Sequence, residues 1–445
     1  MFRVVSMSLR LPLLISFLAL LAACSTPSSP AGKEVAPYYL APVTIDSNAT
    51  QTAIETLYGG QAVVFKPEAG FAVLGFSKEQ GELTTLSTEV NQNALGNPEF
   101  LALGNSAWAS GNSAWASGIG AWASGYSAWS SGNSAWASGI SQNTFTQNVG
   151  VWQQIQLAEG QANAPKLGQG VTVAVIDTGI DLKHPAFAGK LAPREGWKDF
   201  VDNDVNPQEE AGNAYGHGTA VAGLILQVAP NATILPIRVL SGDGVGDLDD
   251  VIAAIDWAIQ QRVDVINLSV GSSENISSLR YMVDYATDTK NILLVSSSGN
   301  SGNTSVTYPA AYATSNEYGG RYAISVGSVN SLDRKSTFST YGSKVELFAP
   351  GESLLTVLPD SHIGYVSGTS FAAPIVSGAM SLALSKNPNW YKKYFETNLR
   401  DTSDNIHAKN PGFSAYDISG RLNVAAFVKK PQPSSESSSD GEYRD

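Results

Sequence analysis

Gly368-Thr369-Ser370-Phe371-Ala372-Ala373-Pro374 decides how the rest of the chain is read. A serine stands between small residues at the start of an apolar run, 370–386, whose pattern predicts a helix. A nucleophile placed there has an uncrowded approach, and a helix N-terminus favours negative charge developing beside it. Pro374 is expected in the first turn, where a missing N–H costs least. Taken alone, the segment reads equally as an ordinary helix N-cap.

Two upstream segments weigh against that plain reading. In Val173-Ala174-Val175-Ile176-Asp177-Thr178-Gly179-Ile180-Asp181, four apolar residues predict a buried parallel strand with Asp177 at its C-terminal end. Catalytic groups gather at such ends in open α/β sheets. In Gly216-His217-Gly218-Thr219-Ala220-Val221-Ala222-Gly223, His217 opens a helix of small residues that can lie close to that strand. Each segment has a bland alternative: a turn after a strand, or a loop histidine.

The order Asp177, His217, Ser370 is the one found in subtilisin. With these motifs the chain resembles a subtilisin-like serine peptidase, a subtilase of bacterial lipoprotein type, over about residues 146–428. The resemblance implies an α/β, three-layer fold with a parallel sheet flanked by helices. It implies a serine endopeptidase in which His217 takes the Ser370 proton and Asp177 orients the imidazole. Asn300, in the Gly-rich turn after 291–298, matches the family's oxyanion-hole asparagine. Ser269-Val270-Gly271, after the apolar run 263–268, matches the edge that pairs with extended substrate. Ser297, Ser298 and Gly299 form the other wall of the primary specificity pocket. Neither wall carries a charge, so an apolar residue is expected before the scissile bond. Among the other histidines, His184 reads as structural, and His362 and His407 as surface residues.

The resemblance has one departure. Many subtilisins hold calcium with an insertion in the helix after the catalytic histidine, but residues 223–230 run straight on, and Ala186 stands where a ligand aspartate is often found. No metal site is carried over and no cofactor is expected. Carboxylates in 199–204 and 243–250 keep calcium open as an alternative to solvated acidic loops. The net charge of −12 and the lack of a basic patch argue against nucleic-acid binding. The expected partners are polypeptide substrates, the chain's own pro-segment and a membrane; a monomer is expected.

Residues 1–23 read as an export signal, with Arg3 and Arg10 before the apolar run 11–21. Leu21-Ala22-Ala23-Cys24 looks like a lipobox, which makes Cys24 the lipidation site and the chain a cell-membrane lipoprotein. Cys24 is the only cysteine in 445 residues, which excludes internal disulfides. Residues 24–44 are expected to form a tether. Residues 45–100 are expected to form a small α+β pro-domain, with a helix over 52–58 and strands at 61–65 and 71–76. Residues 429–445 are expected to be a disordered tail.

Between pro-domain and peptidase, over 101–145, the heptapeptide Asn105-Ser106-Ala107-Trp108-Ala109-Ser110-Gly111 recurs, placing tryptophans at 108, 115, 122, 129 and 136. One large apolar residue per heptad gives no coiled-coil seam, and Gly and Ser disfavour helix. Stacked turns and a flexible linker both remain open. A self-cut between about Leu101 and Gly150 is expected, releasing the peptidase from Cys24.

Overall fold

A computed structural model describes residues 39–84, 86, 89–90, 100–102, 123–128, 145–313, 323–389, 394–416 and 418–430. The signal, Cys24, most of the repeat with its five tryptophans, and residues 431–445 lie outside the described residues.

The described chain opens with β1 (Tyr39–Thr44), α1 (Gln51–Tyr58), β2 (Gln61–Lys66), β3 (Phe71–Phe76), α2 (Lys78–Leu83) and β4 (Glu89–Val90). The strands form an antiparallel sheet in the order β2-β3-β1-β4. Thr50 caps α1 by accepting from the Ala53 N–H, and Gly70, at φ 75°, closes the β2–β3 turn. β1 falls in the stretch read from sequence as tether. Pro42 marks that run as a poor strand, yet it stands in register with Val73 of β3, and among the described residues β4 covers only Tyr39 and Leu40 on the other side.

Two short strands follow, β5 (Phe100–Ala102) and β6 (Ala123–Ala128). The body then runs α3 (Val149–Gln154), α4 (Leu157–Asn163), β7 (Thr172–Asp177), β8 (Lys198–Asp199), α5 (His217–Val228), β9 (Thr233–Arg238), β10 (Val245–Gly246) and α6 (Leu248–Gln260). It continues with β11 (Val265–Leu268), β12 (Val270–Gly271), α7 (Ser277–Asp284), β13 (Leu293–Ser297), β14 (Ala323–Val329), β15 (Leu347–Pro350), β16 (Leu354–Leu358) and β17 (His362–Val366). Helices α8 (Thr369–Lys386), α9 (Phe395–Thr402) and α10 (Val424–Lys429) complete it.

Seven strands make one parallel sheet in the order β15-β14-β13-β11-β7-β9-β8. Its strands are apolar on both faces because both are covered. Val173 and Val175 of β7 pack in one core with α5 and α8. Ala174 and Ile176, pointing the other way, pack in a second core with α6 and α7. This is the three-layer α/β arrangement expected. From β7 the chain goes first to β8 and β9 on one side, then to β11 on the other, so the strand order switches between β7 and β11. Open α/β sheets place their crevice at the C-terminal ends of strands at such a point; Asp177 and the Ser269-Val270-Gly271 segment both stand there.

The N-terminal sheet lays Leu40, Val64, Phe71 and Val73 into the core shared by α6 and α7. Polar contacts fasten the same face: Lys66 Nζ lies 2.6 Å from Asp256 Oδ1, and the Tyr285 hydroxyl donates to Glu68 Oε1 at 2.5 Å. That contact holds the Glu68 carboxyl below its usual range and, after burial, helps push the Tyr285 hydroxyl above its own.

Candidate active site

β7 ends on Asp177 and α5 begins on His217, and the two meet. Nδ1 of His217 lies 2.7 Å from Oδ1 of Asp177, with the residues 0% and 1% exposed. The same Oδ1 accepts from the Thr178 N–H at 2.8 Å. The small residues allow this approach: a Cβ on Gly218 would sit 2.1 Å from the Gly179 carbonyl oxygen and 3.1 Å from Asp177 Cβ.

The N-cap of α5, Gly216, has φ 92° and no side chain with which to cap the helix. Glu209, buried in the preceding loop, takes that part. Its carboxyl accepts from the backbone N–H groups of Gly216 and Thr219, both at 2.9 Å, and from the Thr178 and Thr219 hydroxyls, at 3.1 Å. Thr178 Oγ1 in turn accepts from the Gly218 N–H at 3.0 Å. Burial pushes the Glu209 carboxyl up to about 8, and the nearby Asp177 charge adds to this against the hydrogen bonds it accepts. Sequence reading missed Glu209, one of two adjacent glutamates in an acidic loop.

Ser370 is fully buried near the start of α8, and its Oγ donates to the Ser269 carbonyl oxygen at 3.2 Å. The next residue, Phe371, sets its ring 5.2 Å from that of His217. α8 starts at Thr369 with Gly368 as its cap, so Pro374 falls in the second turn, not the first. An interior proline leaves the carbonyl four residues back without its helical donor. That carbonyl belongs to Ser370, and the Ser269 hydroxyl donates to it at 2.8 Å. Asn267 supports the arrangement: its Nδ2 donates to Ser269 Oγ at 2.9 Å, and its Oδ1 accepts from the Ser377 hydroxyl at 2.9 Å.

Asn300 follows β13 and Gly299, whose φ is 110°. Asn300 Oδ1 accepts from the Thr369 N–H at 2.9 Å and the Thr369 hydroxyl at 3.0 Å. A backbone N–H can only donate, which fixes the amide orientation and leaves Nδ2 on the other branch. Asn300 is thereby tied to the residue preceding Ser370. Ser297 and Ser298 are buried at the end of β13; the Ser298 hydroxyl donates to the Thr340 carbonyl at 3.1 Å.

The Ser269-Val270-Gly271 edge carries an occupant from the chain itself. β5 lies between β10 and β12, antiparallel to both, with Leu101 opposite Val245 and Gly271 and Ala102 opposite Val270.

The remaining histidines hold loops. His184 Nδ1 accepts from the Ala186 N–H at 3.1 Å and its Nε2 lies 3.3 Å from the His362 carbonyl; burial holds this imidazole below its usual range. His362 and His407 are half-buried rather than on the surface, because each has a ring nitrogen drawn to a carbonyl, of Pro359 at 3.0 Å and of Ile418 at 2.7 Å. In the acidic stretch 199–204, Asp199 and Asp202 both pair with buried Arg238, at 2.9 and 2.6 Å. Among the described residues no group of three or more His, Cys, Asp or Glu is arranged to hold a metal.

Comparison with known proteins shows the family. Residues 168–417 match the model of the subtilase family of peptidases. Thermitase of Thermoactinomyces vulgaris is 36% identical over 300 residues, which cover 64% of this chain and 100% of thermitase. Subtilisin NAT of Bacillus subtilis subsp. natto is 35% identical over 296 residues, covering 62% of this chain and 72% of that protein. The crystal structure of a cold-adapted subtilisin-like serine proteinase superposes with a TM-score of 0.51 at 31% identity, covering 59% of this chain and 91% of the other. The protein therefore belongs to the subtilase family and is a serine-type endopeptidase.

Proposed function

We propose that this endopeptidase cuts polypeptides through an acyl-enzyme, with Ser370 as nucleophile, His217 as general base and acid, and Asp177 as the group that orients the imidazole and stabilises its charged form. The observation that carries the reading is the buried 2.7 Å contact between His217 Nδ1 and Asp177 Oδ1. A serine hydroxyl is a weak nucleophile at neutral pH and needs such a base. Asp177 keeps the proton on Nδ1, which leaves Nε2 as the basic nitrogen. As Ser370 Oγ bonds to the scissile carbonyl carbon, its proton passes to His217 and the carbonyl oxygen becomes an oxyanion. Asn300 Nδ2 and the Ser370 N–H supply donors for that charge. His217 then gives its proton to the leaving amine, and water, activated by the same imidazole, releases the acyl group and restores Ser370.

Ser269-Val270-Gly271 pairs with extended substrate backbone, and Ser297, Ser298 and Gly299 line the pocket for an apolar side chain before the cut. The chain is exported, held at the membrane by lipid on Cys24, and made as a precursor whose N-terminal sheet and following strand guard the cleft. The lodging of β5 on the substrate edge supports the precursor reading. Hydrolysis of an unfolded protein tests the chemistry. The wild type produces new N-termini after apolar residues, and His217→Ala and Ser370→Ala each abolish them. Undiminished cleavage by either variant contradicts the assignment.

A further inference from the structure

We propose that Glu209 is a positioning residue of this peptidase: its carboxyl fixes how far Asp177 stands from His217 by binding the chain beside each of them. This rests on the Asp177–His217 assignment above and adds the group that sets their separation.

The bonding around the carboxyl carries the inference. Thr178, the residue after Asp177, has its hydroxyl 3.1 Å from either Glu209 oxygen. Gly216, the residue before His217, donates its N–H to Glu209 Oε2 at 2.9 Å. Thr219, two residues past His217, donates its N–H to Oε1 at 2.9 Å and its hydroxyl to the same oxygen at 3.1 Å. The carboxyl therefore spans the end of β7 and the first turn of α5, the two elements that bear Asp177 and His217.

Both threonines then tie these elements together a second time. Thr178 Oγ1 accepts from the Gly218 N–H at 3.0 Å, and Thr219 Oγ1 accepts from the Asp181 N–H at 2.8 Å. A hydroxyl has one proton. With that proton committed to Glu209, each hydroxyl presents only lone pairs to these N–H groups. Glu209 thus sets the direction of both links as well as making its own.

The carboxyl is itself held in place. The Glu209 N–H donates to the Ile180 carbonyl at 3.2 Å, and the Ile180 N–H donates to the Pro207 carbonyl at 2.9 Å. Gly179, at φ 104°, allows the loop this close, since a Cβ there would stand 2.9 Å from the Pro207 carbonyl oxygen. Glu209 is buried, and these partners lie outside the substrate walls at 269–271 and 297–299. Its loss should therefore act through the 2.7 Å His217–Asp177 contact and not through substrate binding.

Glu209→Ala, Glu209→Gln, Thr178→Val and Thr178→Ser are made in the full-length chain beside His217→Ala, and each is melted to establish that it folds. Steady-state kinetics separates kcat from KM. Proton NMR in the Ser370→Ala background follows the His217 Nδ1–H, which its hydrogen bond to Asp177 moves far downfield. In Glu209→Ala, kcat is expected to fall about 100-fold with KM nearly unchanged, and the Nδ1–H signal to move. Glu209→Gln, which keeps one acceptor oxygen, should lose less, and Thr178→Ser should recover most of what Thr178→Val loses. A folded Glu209→Ala with wild-type kcat and an unmoved Nδ1–H signal overturns the proposal, as does a loss confined to KM or to the folded fraction. If Glu209→Ala does not fold, the Thr178 pair decides: equal kcat in Thr178→Val and Thr178→Ser overturns it. Activity that survives in His217→Ala overturns instead the assignment on which the proposal rests.

Discussion

The hydroxyl of Ser269 donates at 2.8 Å to the carbonyl oxygen of Ser370, an acceptor that α8 leaves empty because Pro374 has no N–H. The candidate nucleophile's backbone is thus held by the tip of β11 as well as by its own helix. Removing the donor strands a buried carbonyl, at a cost of about 1–3 kcal/mol. Ser269→Ala is expected to lower kcat by about 10-fold with little change in KM, and to lower the melting temperature. Pro374→Ala restores a helical donor, so the double variant should lose less than the sum of the single losses. Steady-state kinetics on the four proteins checks this; strict additivity would separate the two residues.

Gly218→Ala tests the close approach of α5 to β7. The new Cβ would stand 2.1 Å from the Gly179 carbonyl oxygen, so the helix must move and stretch the His217–Asp177 contact. Activity is expected to fall by more than about 100-fold, since misplacement by about 1 Å is costly in a preorganised site. The variant's kcat, together with a melt showing that it is folded, gives the answer.

Asn300→Ala removes the amide proposed to meet the oxyanion. The expected loss is about 10²–10³ in kcat, a magnitude known for subtilisin itself, with KM nearly unchanged. Asn300 also accepts from Thr369, so Asn300→Asp provides a control. It keeps the acceptor and loses the donor, and should be as slow as the alanine variant.

Glu209 sets a pH dependence of stability. A glutamate titrates near 4.5 when unperturbed and at about 8 in this fold, chiefly through burial. Between those values the folded state keeps a proton that the unfolded chain has released, so stability falls as pH rises through the window. The contribution is complete below 4.5 and lost above about 8. Glu209→Gln cannot titrate and keeps one acceptor oxygen for two backbone N–H groups, an expected loss of about 1–3 kcal/mol. Melts in the Ser370→Ala background, which blocks self-digestion, compare the chain that keeps Glu209 with the one carrying Glu209→Gln. The gap between them should narrow from about pH 5 to about pH 8. Glu346 is raised by burial in both chains, so the difference isolates Glu209.

The contact between Asp177 and His217 was legible, because each sits in a short motif, at the end of a strand and the start of a helix, that the resemblance to subtilases singles out; the structure sets Ser370 against Ser269 and Asn300 against Thr369. Glu209 was not legible: its role depends on a loop folding back over the N-terminus of α5, and nothing in Gln208-Glu209-Glu210 separates a capping carboxyl from a solvated one. Its neighbour Glu210 pairs with Arg238 at 2.6 Å instead. Asp199 and Asp202 carry a partner that the sequence did not reveal. They read as a solvated acidic loop with calcium as the alternative; in the fold both pair with buried Arg238, distant in sequence. Pro374 was expected in the first turn but is the sixth residue of α8, because the helix begins at Thr369, ahead of the serine. The edge strands β5 and β6 were not predicted, since strands this short in Gly/Ser-rich sequence are defined by their partners rather than by pattern.

The most direct test of the account is labelling by a serine-reactive phosphonate, followed by peptide mass analysis. The account predicts one adduct per chain, on Ser370, absent in Ser370→Ala and formed far more slowly in His217→Ala. An adduct on any other residue, or an equal labelling rate without His217, would contradict the Asp177–His217–Ser370 assignment.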